Sequence, residues 1–381
     1  MKIDELRTFR RALHARPELS GAERETARTV AKCLESLAPS RVWRGLGGHG
    51  VAAAFDGPVD GPTVLVRADL DALPIQETGR PEHRSKTPGV SHACGHDGHT
   101  TIAMGLAARV AAARPARGRV IVLFQPAEET GEGARAVALG PRFDELRPDW
   151  AFALHNLPGA PLGSVLLREG TFGCASRGLS VELAGSTSHA AHPEDGRSPA
   201  AAMCELIATL RKLPMDASLA DGGFALSTVV HARLGEVAFG TSPGEAVVMA
   251  TLRAERDGTI ERMADLAIER TAACAARHGL DARTEWREVF DACVNDADAV
   301  DRVRAAAQRC GAPVVELESP FRWSEDFGAI PAKVGKAMFG LGAGEAHPPL
   351  HAPDYDFPDE LIAPGVEVFE GVVRDLLGSD A

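Results

Sequence analysis

The sequence predicts an α/β fold interrupted by an inserted α+β domain, on three observations. Residues 63–68, 119–124 and 151–154 are short β-branched or apolar runs that read as buried strands, separated by helical patterns. From about Arg177 the order becomes strand, helix, strand, strand, helix, strand, which fits a ferredoxin-like unit of roughly a hundred residues. After Asp291 the α/β style returns and closes on a helix over residues 361–377. Residues 1–175 and 291–381 therefore form one domain, and residues 176–290 an insertion in it.

Each element has a local reason. Leu6, Phe9, Arg10 and Leu13 begin an amphipathic helix that stops near His14-Ala15-Arg16-Pro17. A second helix spans 22–37, between Ser20-Gly21 and Pro39. Gly45-Leu46-Gly47-Gly48-His49-Gly50 formally matches G-x-G-x-x-G, but that fingerprint must open a helix. Here residues 51–55 read as a strand running into Asp56-Gly57-Pro58, so a glycine-rich turn is predicted. Strand 63–68 delivers Asp69 and Asp71 at its carboxyl end; Asp71 is expected to face a site, and Asp69 is equally suited to cap the turn. Strand 119–124 ends in Gln125-Pro126-Ala127-Glu128-Glu129, and strand 151–154 in His155-Asn156. Ligands of open α/β sheets bind beyond the carboxyl ends of the strands, where this chain repeatedly puts ionisable residues. The insertion reads as strands 179–183, 225–233, 247–253 and 282–289 with helices 198–213 and 260–278.

Composition excludes several classes. A net charge of −12 argues against a nucleic-acid partner, because phosphate neutralisation needs a basic surface. The longest apolar stretch, 102–113, is broken by Arg109 and too short to span a bilayer, so no membrane role is expected. The opening Met1-Lys2-Ile3-Asp4-Glu5 has no apolar core after a positive start, which predicts no signal peptide. Seven scattered cysteines without a C-x-x-C pair suit a reducing, cytoplasmic setting.

The densest chemistry lies in Ser91-His92-Ala93-Cys94-Gly95-His96-Asp97-Gly98-His99-Thr100. Three imidazoles, a thiol and a carboxylate here are the ligand types of zinc and its neighbours. Ile102, Met104, Leu106 and Val110 then recur at roughly helical spacing, with Thr100 available as N-cap, so the cluster reads as a loop running into a helix. Adjacent Glu128 and Glu129 can divide two tasks, one holding a cation and the other serving as base to its water. Like charges side by side raise one pKa, which suits a proton shuttle; a loop pair on the surface is the alternative. No G-x-S-x-G elbow occurs, and Cys94 is easier to justify as a ligand thiolate than as a nucleophile.

The series His92–His99, Gln125–Glu129 and Leu154-His155-Asn156 resembles the metallo-amidohydrolase family of aminoacylase, hippurate hydrolase, plant auxin-conjugate hydrolase and carboxypeptidase G. The likeness extends from His14-Ala15-Arg16-Pro17-Glu18-Leu19 and Arg67–Pro74 to Ser324-Glu325-Asp326-Phe327 and Leu350-His351-Ala352-Pro353, nearly the whole chain. The resemblance implies a zinc-exopeptidase-like catalytic domain with a ferredoxin-like lid, and a site for two divalent ions, Zn, Mn, Co or Ni. Its ligands would be Cys94, His96, Glu129, His155 and His351, with Cys94 as bridge. Glu128 would be the general base and then acid, and Asp71 would orient a ligand from behind. His99 is expected to make a structural hydrogen bond. His189, in Thr187-Ser188-His189-Ala190-Ala191-His192, matches a lid histidine that in relatives steadies the oxyanion of the neighbouring subunit's site, which implies a homodimer. His192 and Arg253 are the matching candidates for substrate contact, Arg253 for a carboxylate.

Two departures stand out. Gly240 replaces an asparagine common in relatives, and Asp354 to Phe357 follow His351 in place of a shorter form, which predicts a differently shaped pocket. The sequence is thus expected to encode a dinuclear amidohydrolase acting on the amide of an N-acyl amino acid or similar small conjugate. The rivals are a dipeptidase with the same site and a binding protein that holds metal and ligand without turnover.

Overall fold

The structure, a computed structural model, describes residues 1–220 and 222–378. The chain divides into two compact units. Met1–Phe172, Cys293–Pro320 and Glu325–Ala381 form the first, and Gly173–Ala292 with Phe321–Ser324 the second.

The first unit is built on an eight-stranded sheet. Its order is Arg41–Leu46, Gly50–Asp56, Arg119–Gln125, Thr63–Asp69, Trp150–Pro158, Gly335–Gly344, Val165–Leu167, Val314–Glu316. The third to sixth strands in this order run parallel to one another, and the first two extend one edge antiparallel. The parallel strands are buried almost throughout, as sheets covered on both faces require. Asp69 pairs with Gln125, and Arg67 with Ala153, so Asp69, Gln125 and His155 end in one row. The glycine-rich stretch makes the hairpin turn between the first two strands, with positive φ at Gly47 and Gly48.

Helix His96–Ala112 is buried on nearly every side and packs against Ile3–His14 and Ile362–Leu377. It starts four residues before Thr100, contrary to the expected cap. Gly95 takes the N-cap position with φ of 90°, a conformation glycine adopts without steric cost. Thr100 lies inside the helix, and its hydroxyl donates to the Asp69 carbonyl (2.6 Å). His96, Asp97 and His99 consequently sit on the first helical turn, aimed by a rigid element. Tyr355 and Phe357 are core residues, each 1% exposed, whereas Asp354 of the same segment is exposed. Phe357 lies flat over Gly98, where an added Cβ would come within 2.3 Å of its ring.

The second unit is a four-stranded antiparallel sheet in the order Ala225–Leu234, Glu245–Ala254, Ala175–Ala184, Asp281–Phe290. Burial alternates strictly along Glu245–Ala254, so one face is the core, and helices Ala200–Lys212 and Asp257–Arg277 pack against the sheet. Its elements follow the ferredoxin-like order. Among the described residues no helix is long and apolar enough to cross a membrane.

Gly105 tests the packing of the central helix, because its Cβ would meet Val366 Cγ2 at 2.5 Å and Leu6 Cδ1 at 3.1 Å. Gly105→Ala is expected to destabilise the protein by about 1–3 kcal/mol despite the better helix propensity of alanine, measured by urea unfolding.

Candidate metal centre

Three parallel strand ends and one helix start supply the centre. The strand after Asp69 turns so that Asp71 also reaches it, and both aspartates are fully buried. Gly95 brings the helix down onto them. The Asp71 carbonyl accepts from His96 Nδ1 (2.9 Å), which leaves His96 Nε2 as the lone-pair atom. His155 is set in the same way, with Nδ1 donating to the Asn156 carbonyl (2.8 Å) and Nε2 lying 3.4 Å from Cys94 Sγ. His96 Nε2 faces Glu128 Oε2 (3.9 Å) and Glu129 Oε1 (3.8 Å).

Successive glutamates reach one point because the backbone kinks before them. Ala127 is left-handed, with φ of 52°, and its amide donates to Glu23 Oε1 (2.8 Å). The Glu129 amide donates to Asp71 Oδ2 (3.0 Å), which also accepts from the Ser20 hydroxyl (2.7 Å). His351 enters from the far end of the chain, with φ of 65°, its amide on the Ala93 carbonyl (2.8 Å) and Nε2 3.8 Å from Glu129 Oε1.

The donor atoms form overlapping groups, each spanning no more than 4.8 Å: Cys94 with His96 and His155, Cys94 with Glu129 and His351, and His96 with Glu128 and Glu129. His96 Nε2 and Glu129 Oε1 are buried and, among the described residues, have no hydrogen-bond partner. A buried lone pair and a carboxylate oxygen without donors are costly unless a cation sits between them. Burial and the charges of Glu325 and Glu129 push Glu128 well above the usual carboxylate range. Burial carries Glu129 up to about 7 against the pull of His96, and burial together with Glu129 raises the Cys94 thiol. Such a donor set fits divalent cations, which favour the deprotonated forms that burial opposes.

Both ring nitrogens of His99 are engaged in hydrogen bonds, although one of them also lies within 4.8 Å of donor atoms of Asp69 and His96. Its Nδ1 donates to Asp69 Oδ1 (2.8 Å), and its Nε2 accepts from the Asn156 amide (3.1 Å). Sequence reasoning gave no role to several supporting residues. Arg67 donates to Asp69, Gln125 and Asp326, and Asn156 donates to the Cys94 carbonyl (2.7 Å) and accepts from the Tyr355 hydroxyl. An arginine inside an otherwise apolar strand was the available signal for the first. For Tyr355, the only tyrosine of the chain, no pattern announced a partner.

The remaining candidates belong to the second unit. His189 pairs with Thr241 in a two-residue strand, is exposed, and accepts at Nδ1 from the Ala191 amide (3.1 Å). His192 is exposed, 3.7 Å from Glu194. Arg253 is partly buried and donates to the Arg322 carbonyl (3.0 Å) and the Ser324 hydroxyl (3.1 Å). Nothing lies within 4 Å of a Cβ added to Gly240, so space does not dictate a glycine there.

The sequence matches Peptidase family M20/M25/M40 over residues 65–375. It is 31% identical to the N-acetyldiaminopimelate deacetylase of Exiguobacterium sibiricum over 94% of this chain and 95% of that protein. It is 32% identical to the N-acetyl-L-cysteine deacetylase of Bacillus subtilis over 84% of this chain and 76% of that one. The hippurate hydrolase of Campylobacter jejuni is 29% identical, over 94% and 93%. Among solved structures, a Bacillus subtilis protein described as a dinuclear metal binding peptidase from the M20 family superposes with a TM-score of 0.80 at 26% identity, covering 99% of both chains.

Behind the centre, Asp97 Oδ2 accepts from both Arg10 (3.0 Å) and His14 (2.9 Å) in full burial. Burial alone would lower the His14 pKa, but the charge and hydrogen bond of Asp97, with Glu77 and Asp356, together outweigh it and raise it to about 10. A raised folded-state pKa contributes stability that is complete below the unfolded value of about 6.5 and is lost as pH climbs through about 10. Asp97→Asn is expected to cost about 3–5 kcal/mol near pH 6, because it removes the buried carboxylate that Arg10 and His14 share and leaves their charges to Asp356, Asp359 and Glu77 alone. It should also flatten the decline in urea midpoint between pH 6 and 10 that the unsubstituted protein shows.

Proposed function

The chain belongs to Peptidase family M20/M25/M40, whose relatives hydrolyse amide C–N bonds, and on that premise we propose that it is a dinuclear metal-dependent amidohydrolase of N-acyl amino acids. The observation that carries this reading is the partnerless pair His96 Nε2 and Glu129 Oε1, buried among Cys94, Glu128, His155 and His351. Cys94, His96 and His155 would hold one cation, and Cys94, Glu129 and His351 the other, with the thiolate shared. Zinc, manganese, cobalt and nickel all suit this mixture of donors. When bound, the cations supply Lewis acidity to the substrate carbonyl and lower the pKa of water at the site.

The chain's own residues do the rest. Glu128 accepts the proton of the attacking water as the new C–O bond forms, and delivers it to the nitrogen as the C–N bond breaks. The products are a carboxylate and a free amine. A carboxyl group shielded from water, with like charges beside it, holds a proton more tightly than a free carboxylate, which suits a group that must first accept a proton and then deliver it. Asp71 keeps the His96 ring and the Glu129 backbone in place through its carbonyl and carboxylate. His189 is the proposed donor to the developing oxyanion, with His192 three residues on as a proposed substrate contact; Arg253, which makes no ion pair with a carboxylate among the described residues, is the proposed anchor for the substrate carboxylate. We extend the reading to a homodimer through the inserted unit, supported by Val230 on an edge strand and by fully exposed Val237 and Phe239. The seven scattered cysteines, with no C-x-x-C pair among them, support a reducing, cytoplasmic location.

Amine release from N-acetyl and N-benzoyl amino acids, with dipeptides alongside, tests the reading. Chelation should abolish turnover, and Zn²⁺, Mn²⁺, Co²⁺ or Ni²⁺ should restore it. Glu128→Gln should lower kcat about 10²–10⁴-fold with both cations retained. Near-full activity in that variant would overturn the mechanism, and a preference for dipeptides would replace the substrate class.

A further inference from the structure

Four of the five proposed ligands sit on or beside regular structure, whereas His351 does not. Cys94 and His96 flank the cap of the central helix, His155 lies within a strand of the sheet, and Glu129 follows one. His351 lies in an irregular segment, its side chain is 51% exposed, and its backbone is left-handed. Its position therefore depends on what fastens residues 350–359 to the rest of the unit.

Besides the His351 amide on the Ala93 carbonyl and the buried Tyr355 and Phe357, one fastening is a buried charge, Arg10, on the first helix, 1% exposed. Its Nη1 donates both to Asp97 Oδ2 (3.0 Å), next to His96, and to Asp356 Oδ1 (2.7 Å), five residues beyond His351. Its Nε makes an ion pair with Asp359 Oδ1 (2.6 Å). One buried guanidinium thus grips the turn that carries His96 and the segment that carries His351. His83 Nε2 lies 3.0 Å from Asp356 Oδ2, and the Thr78 amide donates to the Pro353 carbonyl (2.7 Å), steadying the same segment from the side.

We propose that Arg10 is a positioning residue for the second cation, which holds the His351 segment at the spacing from His96 that a shared two-metal site needs. This rests on the dinuclear reading above. Arg10 touches neither substrate nor cation; it acts by pre-placing a ligand whose ordering would otherwise be charged against binding. Loss of the clamp should weaken the cation on the His351 side and leave the one held by Cys94, His96 and His155. A planar guanidinium serves two carboxylates in fixed directions, whereas an ammonium is a single charge, so lysine should restore the function only in part.

The test is Co²⁺ titration of the chelator-stripped full chain, with equivalents bound read from metal content after dialysis and from the visible spectrum. The unsubstituted protein should bind two equivalents. Arg10→Met should bind the first with little change and the second at least about 10-fold more weakly, matching His351→Ala, with Arg10→Lys intermediate. Asp356→Asn, on a partly exposed side chain, is the check should Arg10→Met fail to fold, and it should weaken the second equivalent alone. Circular dichroism and urea midpoints report folding separately. Two equally tight equivalents in the folded Arg10→Met or Asp356→Asn protein, or equal weakening of both, would overturn the proposal and leave the dinuclear reading standing. Fewer than two equivalents in the unsubstituted protein would overturn both.

Discussion

Three carboxylates, Asp69, Glu325 and Asp326, lie within 2.9 Å of one guanidinium, that of Arg67, deep in the sheet where water does not reach. None of them could be buried there as an anion without that charge. Through Asp69 the effect passes to His99, through His99 to Asn156, and through Asn156 to the Cys94 carbonyl and the Tyr355 hydroxyl. Each contact fixes the next by hydrogen bonding, so the orientation of the thiol descends from a strand residue that touches no proposed ligand. One cation for three carboxylates also leaves negative charge over, and burial holds Asp326 up near 8. The same excess faces Glu128.

The layering of the molecule was legible in the sequence because strands covered on both faces must be apolar throughout. The runs beginning at Thr63, Arg119 and Ala151 had no competing reading of comparable length. The second unit was equally legible, since alternation along Glu245–Ala254 switches to helical spacing along Asp257–Arg277 without ambiguity. The chemistry-bearing positions stood out by density, with three histidines and a cysteine between residues 92 and 99.

What the sequence concealed was conformational or long-range. Thr100 looked like a helix cap, and a left-handed glycine one turn earlier took the position instead. Nothing local reveals that Ala127 adopts positive φ, yet that kink lets Glu128 and Glu129 approach the same imidazole. Tyr355 and Phe357 carry the look of pocket residues and are core, because Gly98 opens a slot for one and Asn156 pairs with the other. Arg10 and His14 read as part of an ordinary amphipathic helix. Their partner, Asp97, lies more than eighty residues away, and no spacing rule connects them.

The position of the last parallel strand has a consequence for how the protein is made. Gly335–Gly344 pairs with Trp150–Pro158, and about 175 residues separate them, which at ribosomal rates near 5–20 residues per second is on the order of ten to thirty seconds. For that interval the Trp150–Pro158 strand has a neighbour on one side only, and its other edge offers unpaired amides and carbonyls to any passing chain. The nascent sheet is therefore complete on one flank and adhesive on the other until Gly335–Gly344 has emerged. A protein whose proposed metal ligands run from Cys94 to His351 must survive this half-built state before it can bind its second ion.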